Sequence, residues 1–439
     1  MRSPIGGSPD DGACCSAALA LAGLCSVIQA AHAAVAIDLY DVAGFVLASL
    51  IAGVCYLAAV GMVLKRPPRR HDFALIVIVA IILRGLALTP SPNLSTDAYR
   101  YVWDGRIQAA GYNPYLYVPA DPRLAPLRDE AIYPNINQKE RAVTIYPPVA
   151  ELLFLAAHHI GDGLAAIRLV MTLLDAATIV VLLLLLRALS LPREHIVIYA
   201  WHPLPIWEFV CQGHIDAAVT TALALAVLLT VRQRQGLAGV LLGIAALIKY
   251  FPVVLVPALW RRWDWRMPLA FVATAVVLYL PYIREAGGRV LGYLGNHLDN
   301  EGYAAGWGFH PIWLLRDFSI ADPPAKAYVV VAIGLLALLG ARVLFRSGAS
   351  KVQLAALPLL GAAFVWLVSP HYPWYFAFLP ALLVASPSAP VLLMSVLAVA
   401  LYWPRPPGGI TWTEIYLLVY WLPLALLAAT AGWRLMRRA

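Results

Sequence analysis

Residues 95–115 read STDAYRYVWDGRIQAAGYNPY and form the most polar segment of a chain that is otherwise largely apolar. Ser95 and Thr96 are both suitable helix caps, Gly111 is a suitable helix stop, and Pro114 follows shortly after it. The stretch therefore predicts a helix within a polar loop between membrane spans.

Four polar side chains share one face of this predicted helix, because Asp97, Arg100, Tyr101 and Asp104 fall at i, i+3, i+4 and i+7. The other side is apolar and is expected to rest on a membrane surface; it carries Tyr99, Val102, Trp103 and Ile107. Asp97 lies in the first turn, where the helix dipole and unpaired N–H groups favour an ionised carboxylate. A solvated helix with internal Asp–Arg pairs has the same pattern, so the helix alone does not establish a site.

The composition is that of a membrane protein. The 439 residues are 62% hydrophobic and 13% charged, with a net charge of +8 and a mean hydropathy of +0.75, whereas about a quarter of the residues in soluble domains are charged. In a membrane protein, an excess of Lys and Arg marks the loops on the inner side. We therefore attribute the positive charge to loop topology and not to nucleic-acid binding. We expect an all-α polytopic membrane protein with about 11–14 transmembrane helices and a long outer loop carrying short amphipathic helices.

Positive loop charges set the predicted topology at the N-terminal end. Residues 13–36 form a first span, with a cleaved signal peptide as the alternative. Residues 43–64 form a clear span, and the basic run at 65–71, KRPPRRH, marks the inner side. Residues 73–88 then cross outward, so the loop 90–145 lies outside. Arg84 lies within this span and is expected to face protein or to reach an interface.

Two topologies remain open in the middle of the chain. In the first, residues 147–160 are re-entrant or interfacial, and 237–260 is a pair of half-helices broken around Lys249. In the second, both segments span fully. The distribution of arginines favours the first topology.

We divide the chain into four parts: N-terminal helices and a basic inner loop (1–72), a membrane module that includes the outer loop 90–145 (73–283), a second outer loop (284–325), and C-terminal transmembrane helices (326–439). Polar residues gather on the outer side of these parts, and burying an ionisable group at membrane depth costs about 2.5–3.5 kcal/mol, so such residues tend to face a functional cavity. The set consists of Asp97, Arg100, Asp104, Arg106, Tyr146, Gln212, His214, Asp216, Lys249, His371, Tyr372, Trp374 and Tyr375.

The chemistry of this set fits a phosphate-bearing ligand. Carboxylates can act as a base, cations can bind phosphate, and aromatic rings can stack on a sugar or line a lipid groove. No phosphate-binding loop of the kind found in soluble nucleotide-binding domains follows a strand-like run, which favours a lipid phosphate. An enzyme and a transporter both remain possible at this point.

Several segments resemble the GT-C superfamily of glycosyltransferases, and most of all the bacterial polyprenyl-phosphate-mannose mannosyltransferases. These segments are STDAYRYVWDGRIQAAGYNPYLY (95–117), TIYPP (144–148), WHPLPIWEF (201–209), GHIDA (213–217), ALIKYFPVVLVPAL (246–259) and SPHYPWYFAFLP (369–380). The resemblance implies a GT-C-type helical bundle. It also implies an enzyme of the bacterial inner membrane that transfers a hexose, with mannose favoured, from a polyprenyl-phosphate donor to an acceptor hydroxyl, with inversion, at the outer face.

The same resemblance implies roles for individual residues. Asp97 would be the general base, and Asp104 a second acidic residue that binds the acceptor or sets geometry. Arg100, Arg106 and Lys249 would bind the donor phosphate. The cavity that holds the substrates would be lined by Tyr101, Tyr146, His214, Asp216, His371, Trp374 and Tyr375.

Partners and cofactors follow from this reading. The donor is a polyprenyl-phosphate-linked sugar, and the acceptor is a glycolipid, a polysaccharide or a protein. No cofactor is expected, because Ser95-Thr96 precedes Asp97 where related enzymes carry an adjacent acidic pair that could hold a divalent metal. A transporter or flippase of lipid-linked sugars is the alternative, although the chain shows no internal repeat.

Overall fold

A computed structural model of the chain describes residues 9–67, 69, 71–346 and 353–436. Within these residues the regular structure is entirely helical, which confirms the predicted all-α class. Part of the predicted basic inner loop (residues 68 and 70) and the end of the basic tail (437–439) lie outside the described residues.

The α-helices follow one another closely. In chain order they are α1 (Pro9–Asp38), α2 (Val42–Lys65), α3 (Asp72–Leu88), α4 (Asp97–Ala109), α5 (Pro148–Ile160), α6 (Leu164–Ala188), α7 (Val197–Ala200), α8 (Asp216–Val231), α9 (Gln235–Ala246), α10 (Val256–Leu259), α11 (Arg266–Ala286), α12 (Leu294–Asn300), α13 (His310–Asp317), α14 (Ala325–Arg346), α15 (Ala356–Val368), α16 (Leu379–Leu383), α17 (Ala389–Leu397), α18 (Trp412–Tyr416) and α19 (Leu422–Met436). Short 3₁₀ and π turns connect several of them, among them the π turn Pro205–Cys211.

Six helical segments in the described part of the chain are long and apolar enough to cross a membrane, and a seventh is possible if one bent pair forms a single span. They are Ser16–Asp38, Val42–Lys65, Leu164–Ala188, Arg266–Asn296, Ala325–Arg346 and Trp412–Ala431, with Pro205–Cys211 plus Asp216–Val231 as the bent pair. Such helices are those of an integral membrane protein. This number is below the expected 11–14, because several apolar stretches are divided into shorter helices.

A buried ion pair joins α3 to α6. Arg84 Nε lies 2.6 Å from Asp175 Oδ2, and Arg84 also donates to the backbone oxygen of Ala200 at 2.8 Å. Tyr199 donates to the other Asp175 oxygen at 2.7 Å. Arg84 therefore faces protein, as the sequence analysis allowed, and its charge is fully partnered inside the bundle.

The predicted polar helix forms as α4, but it does not rest on the membrane. Trp103 and Ile107 are 0% exposed and Val102 is 3% exposed, so the apolar side is enclosed by protein. Gly105 allows this packing, because a Cβ atom at this position would lie 2.3 Å from the Phe154 carbonyl oxygen of α5. The expectation of a membrane-facing side is therefore wrong: α4 packs against α5 instead.

The middle of the chain follows the first of the two topologies in one respect: α9 ends at Ala246, before Lys249. The carbonyl oxygen of Leu247 accepts hydrogen bonds from the N–H groups of Val149 and Ala150, at 3.0 and 3.4 Å. These N–H groups belong to the first turn of α5, where backbone N–H groups have no acceptor within the helix itself. Because α5 has only 13 residues, it is too short to cross a membrane unaided.

Candidate active site

The imidazole of His214 lies at the centre of the polar cluster, in the bend between the π turn and α8. These two segments meet at 119°, and the bend brings carboxyl groups to both sides of the ring. Nδ1 of His214 lies 4.0 Å from Oδ2 of Asp97, and Nε2 lies 3.5 Å from Oε2 of Glu208. His214 and Glu208 are 1% and 0% exposed.

Aromatic rings fix the plane of this imidazole. Trp374 stacks on His214 with ring centroids 4.2 Å apart and an interplanar angle of 21°. Tyr372 in turn stacks on Trp374, with ring centroids 4.4 Å apart and an interplanar angle of 8°. Since Trp374 and Tyr372 belong to the SPHYPWY segment, the C-terminal part of the chain contributes directly to the site that α4 and α8 begin.

A cation lies close to the same carboxylates. Nζ of Lys249 is 2.6 Å from Oδ2 of Asp216 and 4.7 Å from the centroid of the Tyr375 ring. Both members of the ion pair are largely buried, with side chains 15% and 2% exposed. The structure thus brings Asp97, His214, Asp216, Lys249, Trp374 and Tyr375 together, although they are spread over most of the sequence.

Asp97 has the electrostatic surroundings of a usable base. Burial raises the pKa of its carboxyl to about 6, although 29% of the side chain stays accessible. The positive charge of Lys249 opposes this shift, and the carboxylates of Asp216 and Glu301 add to it. Burial thus counteracts the helix dipole, and the neighbouring carboxylates that reinforce it are Asp216 and Glu301.

Asp104 and Arg100 belong to a separate buried network. Arg100 Nε donates to both oxygens of Asp104, at 2.8 and 2.9 Å, and Asp104 is 0% exposed. Glu151 of α5 adjoins this pair, and its carboxyl oxygens accept hydrogen bonds from Thr144 and Gln108, at 2.5 and 2.9 Å. Burial raises the pKa of the Asp104 carboxyl, and that of Glu151 well above its usual range. This network joins α4 to α5 beneath the site.

Arg106 is occupied elsewhere. Its guanidinium lies 2.7 Å from Asp129 and 3.0 Å from Asp162, and it donates to the carbonyl oxygen of Leu127 at 3.0 Å. Arg106 follows Asp97 by nine positions on α4, which separates them by about 13 Å along the helix axis. The structure does not bring it to Lys249, and its contacts attach the loop after α4 to the start of α6.

The remaining predicted residues line the edges of the cluster. Tyr101 and Tyr146 are in edge contact at 5.2 Å, and both interact electrostatically with Asp97. His371 stacks on Tyr303 at 5.6 Å and lies 3.5 Å from Glu301 of the second predicted outer loop. Because the charge of Glu301 also acts on Asp97, this loop lies near the site.

Three residues near the site did not feature among the predicted site residues. Glu208 was quoted only within WHPLPIWEF, although a carboxylate in an apolar run is itself a signal. Glu301 lies in a polar loop without a motif, and Tyr402, which donates to Glu208 at 3.1 Å, lies in an apolar segment that gave no signal. Only the folded arrangement assigns these side chains to the cluster.

The possible metal ligands in the structure are His, Cys, Asp and Glu side chains. Among the residues that the structure describes, no group of three or more His, Cys, Asp or Glu side chains is arranged to hold one. The site carboxylates instead face Lys249 and the imidazole of His214. The positive charge in this cluster therefore comes from the side chain of Lys249.

Comparison with known proteins gives one match. The model of glycosyltransferase family 87 covers residues 144–370, just over half of the chain. The chain belongs to glycosyltransferase family 87. This is a GT-C family, so the superfamily that the motifs resembled is confirmed. No curated protein and no solved structure matches the chain.

The family 87 match contains a large part of the cluster, including Tyr146, Glu208, His214 and Lys249, while Asp97 precedes it. A membrane glycosyltransferase requires a sugar donor and an acceptor. Asp97 and the loop that carries it are connected to the matched region by the packing of α4 on α5 and by the approach of Asp97 to His214. The polar cluster thus extends beyond the matched residues.

Proposed function

We propose that this family 87 glycosyltransferase transfers a hexose, with mannose favoured, from a polyprenyl-phosphate donor to an acceptor hydroxyl at the outer membrane face, with inversion. The observation that carries the proposal is the position of Asp97 beside the buried pair of Lys249 and Asp216. A base and a cation for the departing phosphate then belong to one cluster, within a protein whose long helices are suited to a lipid-linked donor.

The reaction needs one base and one cation. The Asp97 carboxylate takes the proton of the acceptor O–H, and the acceptor oxygen forms a bond to the anomeric carbon of the sugar. The bond between that carbon and the phosphate oxygen breaks at the same time, and the electron pair leaves with the lipid phosphate. Lys249 stabilises the negative charge that develops on this phosphate.

Aromatic side chains support the binding of a sugar beside these groups. Trp374 and Tyr372 present stacked rings next to His214, and Tyr375 lies against the Lys249 ammonium. Flat apolar rings with neighbouring polar groups suit a hexose, which has apolar C–H faces and polar edges. The acceptor is a glycolipid, a polysaccharide or a protein.

Transfer of label tests the proposal. Membranes containing the protein are incubated with radiolabelled polyprenyl-phosphate mannose and then with glucose- and arabinose-linked donors, alongside membranes without it. We expect a new labelled product that disappears in Asp97→Asn and persists in Glu140→Gln, a control carboxylate that is exposed on the same loop. Activity within a few-fold of wild type in Asp97→Asn would disprove the base assignment.

No labelled product from any of the three donors would argue for the alternative, a transporter or flippase of lipid-linked sugars. The bend of 119° before α8 is the feature that agrees with this alternative, because transporters often bind substrate at broken helices. Protection of the lipid-linked sugar from an added membrane-impermeant glycosidase, measured in vesicles, distinguishes the two. Transport changes the accessible fraction of the donor, whereas transfer changes its chemical identity.

A further inference from the structure

A buried imidazole with two unsatisfied nitrogens is an unusual feature of this site. Neither Nδ1 nor Nε2 of His214 has a hydrogen-bond partner, although both are shielded from solvent. Buried polar atoms are nearly always paired, because an unpaired one costs about 1–3 kcal/mol. The nearest candidates are the carboxyl groups of Asp97 and Glu208, on opposite edges of the ring at 4.0 and 3.5 Å.

Glu208 is the less solvated of the two carboxyl groups. It is 0% exposed, its Oε2 accepts a hydrogen bond from Tyr402, and its Oε1 has no partner. The titratable or charged groups that act on it are Tyr402, Asp216, Asp97, Lys249 and the thiol of Cys211. The one cation among them, Lys249, already pairs with Asp216.

Two placements of the protons on Glu208 and His214 are possible, and only one of them pairs both ring nitrogens. If Glu208 were ionised, Nε2–H of His214 would donate to it, and the bare lone pair of Nδ1 would face the Asp97 carboxylate. If Glu208 is the neutral acid, its O–H donates to Nε2, the ring proton lies on Nδ1, and Nδ1–H is directed at Asp97. The second arrangement gives both ring nitrogens a partner and leaves the negative charge of these three residues on Asp97.

We propose that Glu208 is a positioning residue of the transfer: as a neutral acid it fixes the Nδ1–H form of His214, which in turn orients and stabilises the Asp97 carboxylate. The Nδ1–Oδ2 separation of 4.0 Å shortens when substrates bind, as catalytic hydrogen bonds commonly do. This inference rests on the proposed role of Asp97 as the base, and it adds a chain of two donors behind that base.

Two substitutions at Glu208 test the donor chain. Glutamine retains the shape of the neutral acid, can donate to Nε2, and can accept from Tyr402; leucine has a similar volume but can do neither. We expect transfer by Glu208→Gln within a few-fold of wild type and transfer by Glu208→Leu lowered at least tenfold. Equal losses in both variants would overturn the proposal, since the site would then need a carboxylate that accepts a proton.

The pH profile separates positioning from a merely structural role. Loss of the Nδ1–H donor makes the Asp97 carboxylate harder to form, so the acid limb of kcat/KM should move upward by about one pH unit in Glu208→Leu. It should stay unchanged in Glu208→Gln. A lower rate in Glu208→Leu with the acid limb in its wild-type position would mean that Glu208 only supports the fold, and would refute the proposal.

A spectroscopic measurement keeps this inference distinct from the proposed function. In purified protein at neutral pH, the infrared C=O band of a protonated carboxyl group should lose intensity in Glu208→Gln. The control Glu194→Gln replaces another buried glutamate, which pairs with Arg193 at 3.3 Å, and should leave the band intact. An unchanged band in Glu208→Gln would refute the neutral acid, whether or not any donor supports transfer. Absence of transfer with the expected band change would instead refute the proposed function.

Discussion

Nζ of Lys249 lies 2.6 Å from Oδ2 of Asp216, which links the chain after α9 to the first residue of α8. We propose that a lipid phosphate competes with Asp216 for this ammonium. Glutamine at position 249 removes the charge but leaves a side chain of similar length. A charge-assisted hydrogen bond contributes about 1.5–3 kcal/mol, so Lys249→Gln should raise the KM for the donor at least tenfold.

The KM of the donor should be measured at saturating acceptor. Lys139→Gln is the matched control, because Lys139 lies in the loop after α4 and contacts the ring of Tyr133, as Lys249 contacts the ring of Tyr375, but belongs to a different part of the fold. An unchanged donor KM in Lys249→Gln would remove this lysine from the phosphate site.

The pKa of Asp97 predicts an acid limit to activity. Because a base must be ionised, transfer should be full above pH 7 and fall as the pH drops through about 6. The Glu301 carboxylate helps to raise this pKa. Glu301→Gln should therefore move the acid limb of kcat/KM to lower pH, and an upward movement would show that another group limits the rate.

The contact between Gly105 and Phe154 sets the distance between α4 and α5. A Cβ atom at position 105 would lie 2.3 Å from the Phe154 carbonyl oxygen, so Gly105→Ala must push the helices apart. Overpacking of this kind costs about 1–3 kcal/mol. We expect a lower melting temperature and, since α4 carries Asp97, a lower kcat.

Gly61→Ala is the matched control for this substitution. A Cβ atom at Gly61 of α2 meets nothing within 4 Å, so that variant should melt and react like wild type. Wild-type behaviour of Gly105→Ala would mean that α4 is less closely held than its packing indicates.

Asp104 is expected to contribute to stability more than to chemistry. It is 0% exposed, and both of its carboxyl oxygens accept hydrogen bonds from Arg100. It therefore cannot contact the acceptor substrate without rearrangement of α4. Asp104→Asn weakens a charge-assisted bond and should lower the melting temperature. Transfer per folded molecule should remain within a few-fold of wild type; a loss as large as that of Asp97→Asn would restore the catalytic role that the sequence analysis assigned.

For the buried ion pair of Arg84 and Asp175, we expect removal of one partner to destabilise the protein more than replacement of both. Removing one partner leaves the other unpaired, which costs about 3–5 kcal/mol, whereas replacing both by apolar residues is often nearly neutral. Arg84→Met should therefore reduce the melting temperature in detergent strongly. The double variant Arg84→Met/Asp175→Leu should recover most of the loss, and failure to recover would indicate that Tyr199 and the Ala200 carbonyl need these partners.

Patterns along the chain determined the helical class and the main site segments. Apolar length predicted α2 and α3, because a bilayer imposes a minimum length on a spanning helix. The capping residues and Gly111 predicted α4, since helix ends depend on local hydrogen bonding. The motifs also indicated the superfamily, which the family 87 match confirms.

What the sequence could not determine depends on contacts between distant segments. Whether the apolar side of α4 meets lipid or protein depends on α5, and both environments favour the same residues. The breaks that divide apolar runs into short helices also lowered the number of long spans below the expected range, because composition alone does not distinguish a buried short helix from a span.

Residue chemistry on its own indicated a base, cations and aromatic rings, but only the tertiary structure decided which of them act together. Arg100 and Arg106 carry the same charge as Lys249, yet their carboxylate partners lie outside the cluster around His214, whereas Lys249 pairs with Asp216 and lies beside Tyr375 within it. Glu208 and Asp97 are more than a hundred positions apart in sequence and meet the same imidazole only after folding. Sequence specifies which groups are available, whereas electrostatic partnership falls off with distance in space and is therefore set by the fold.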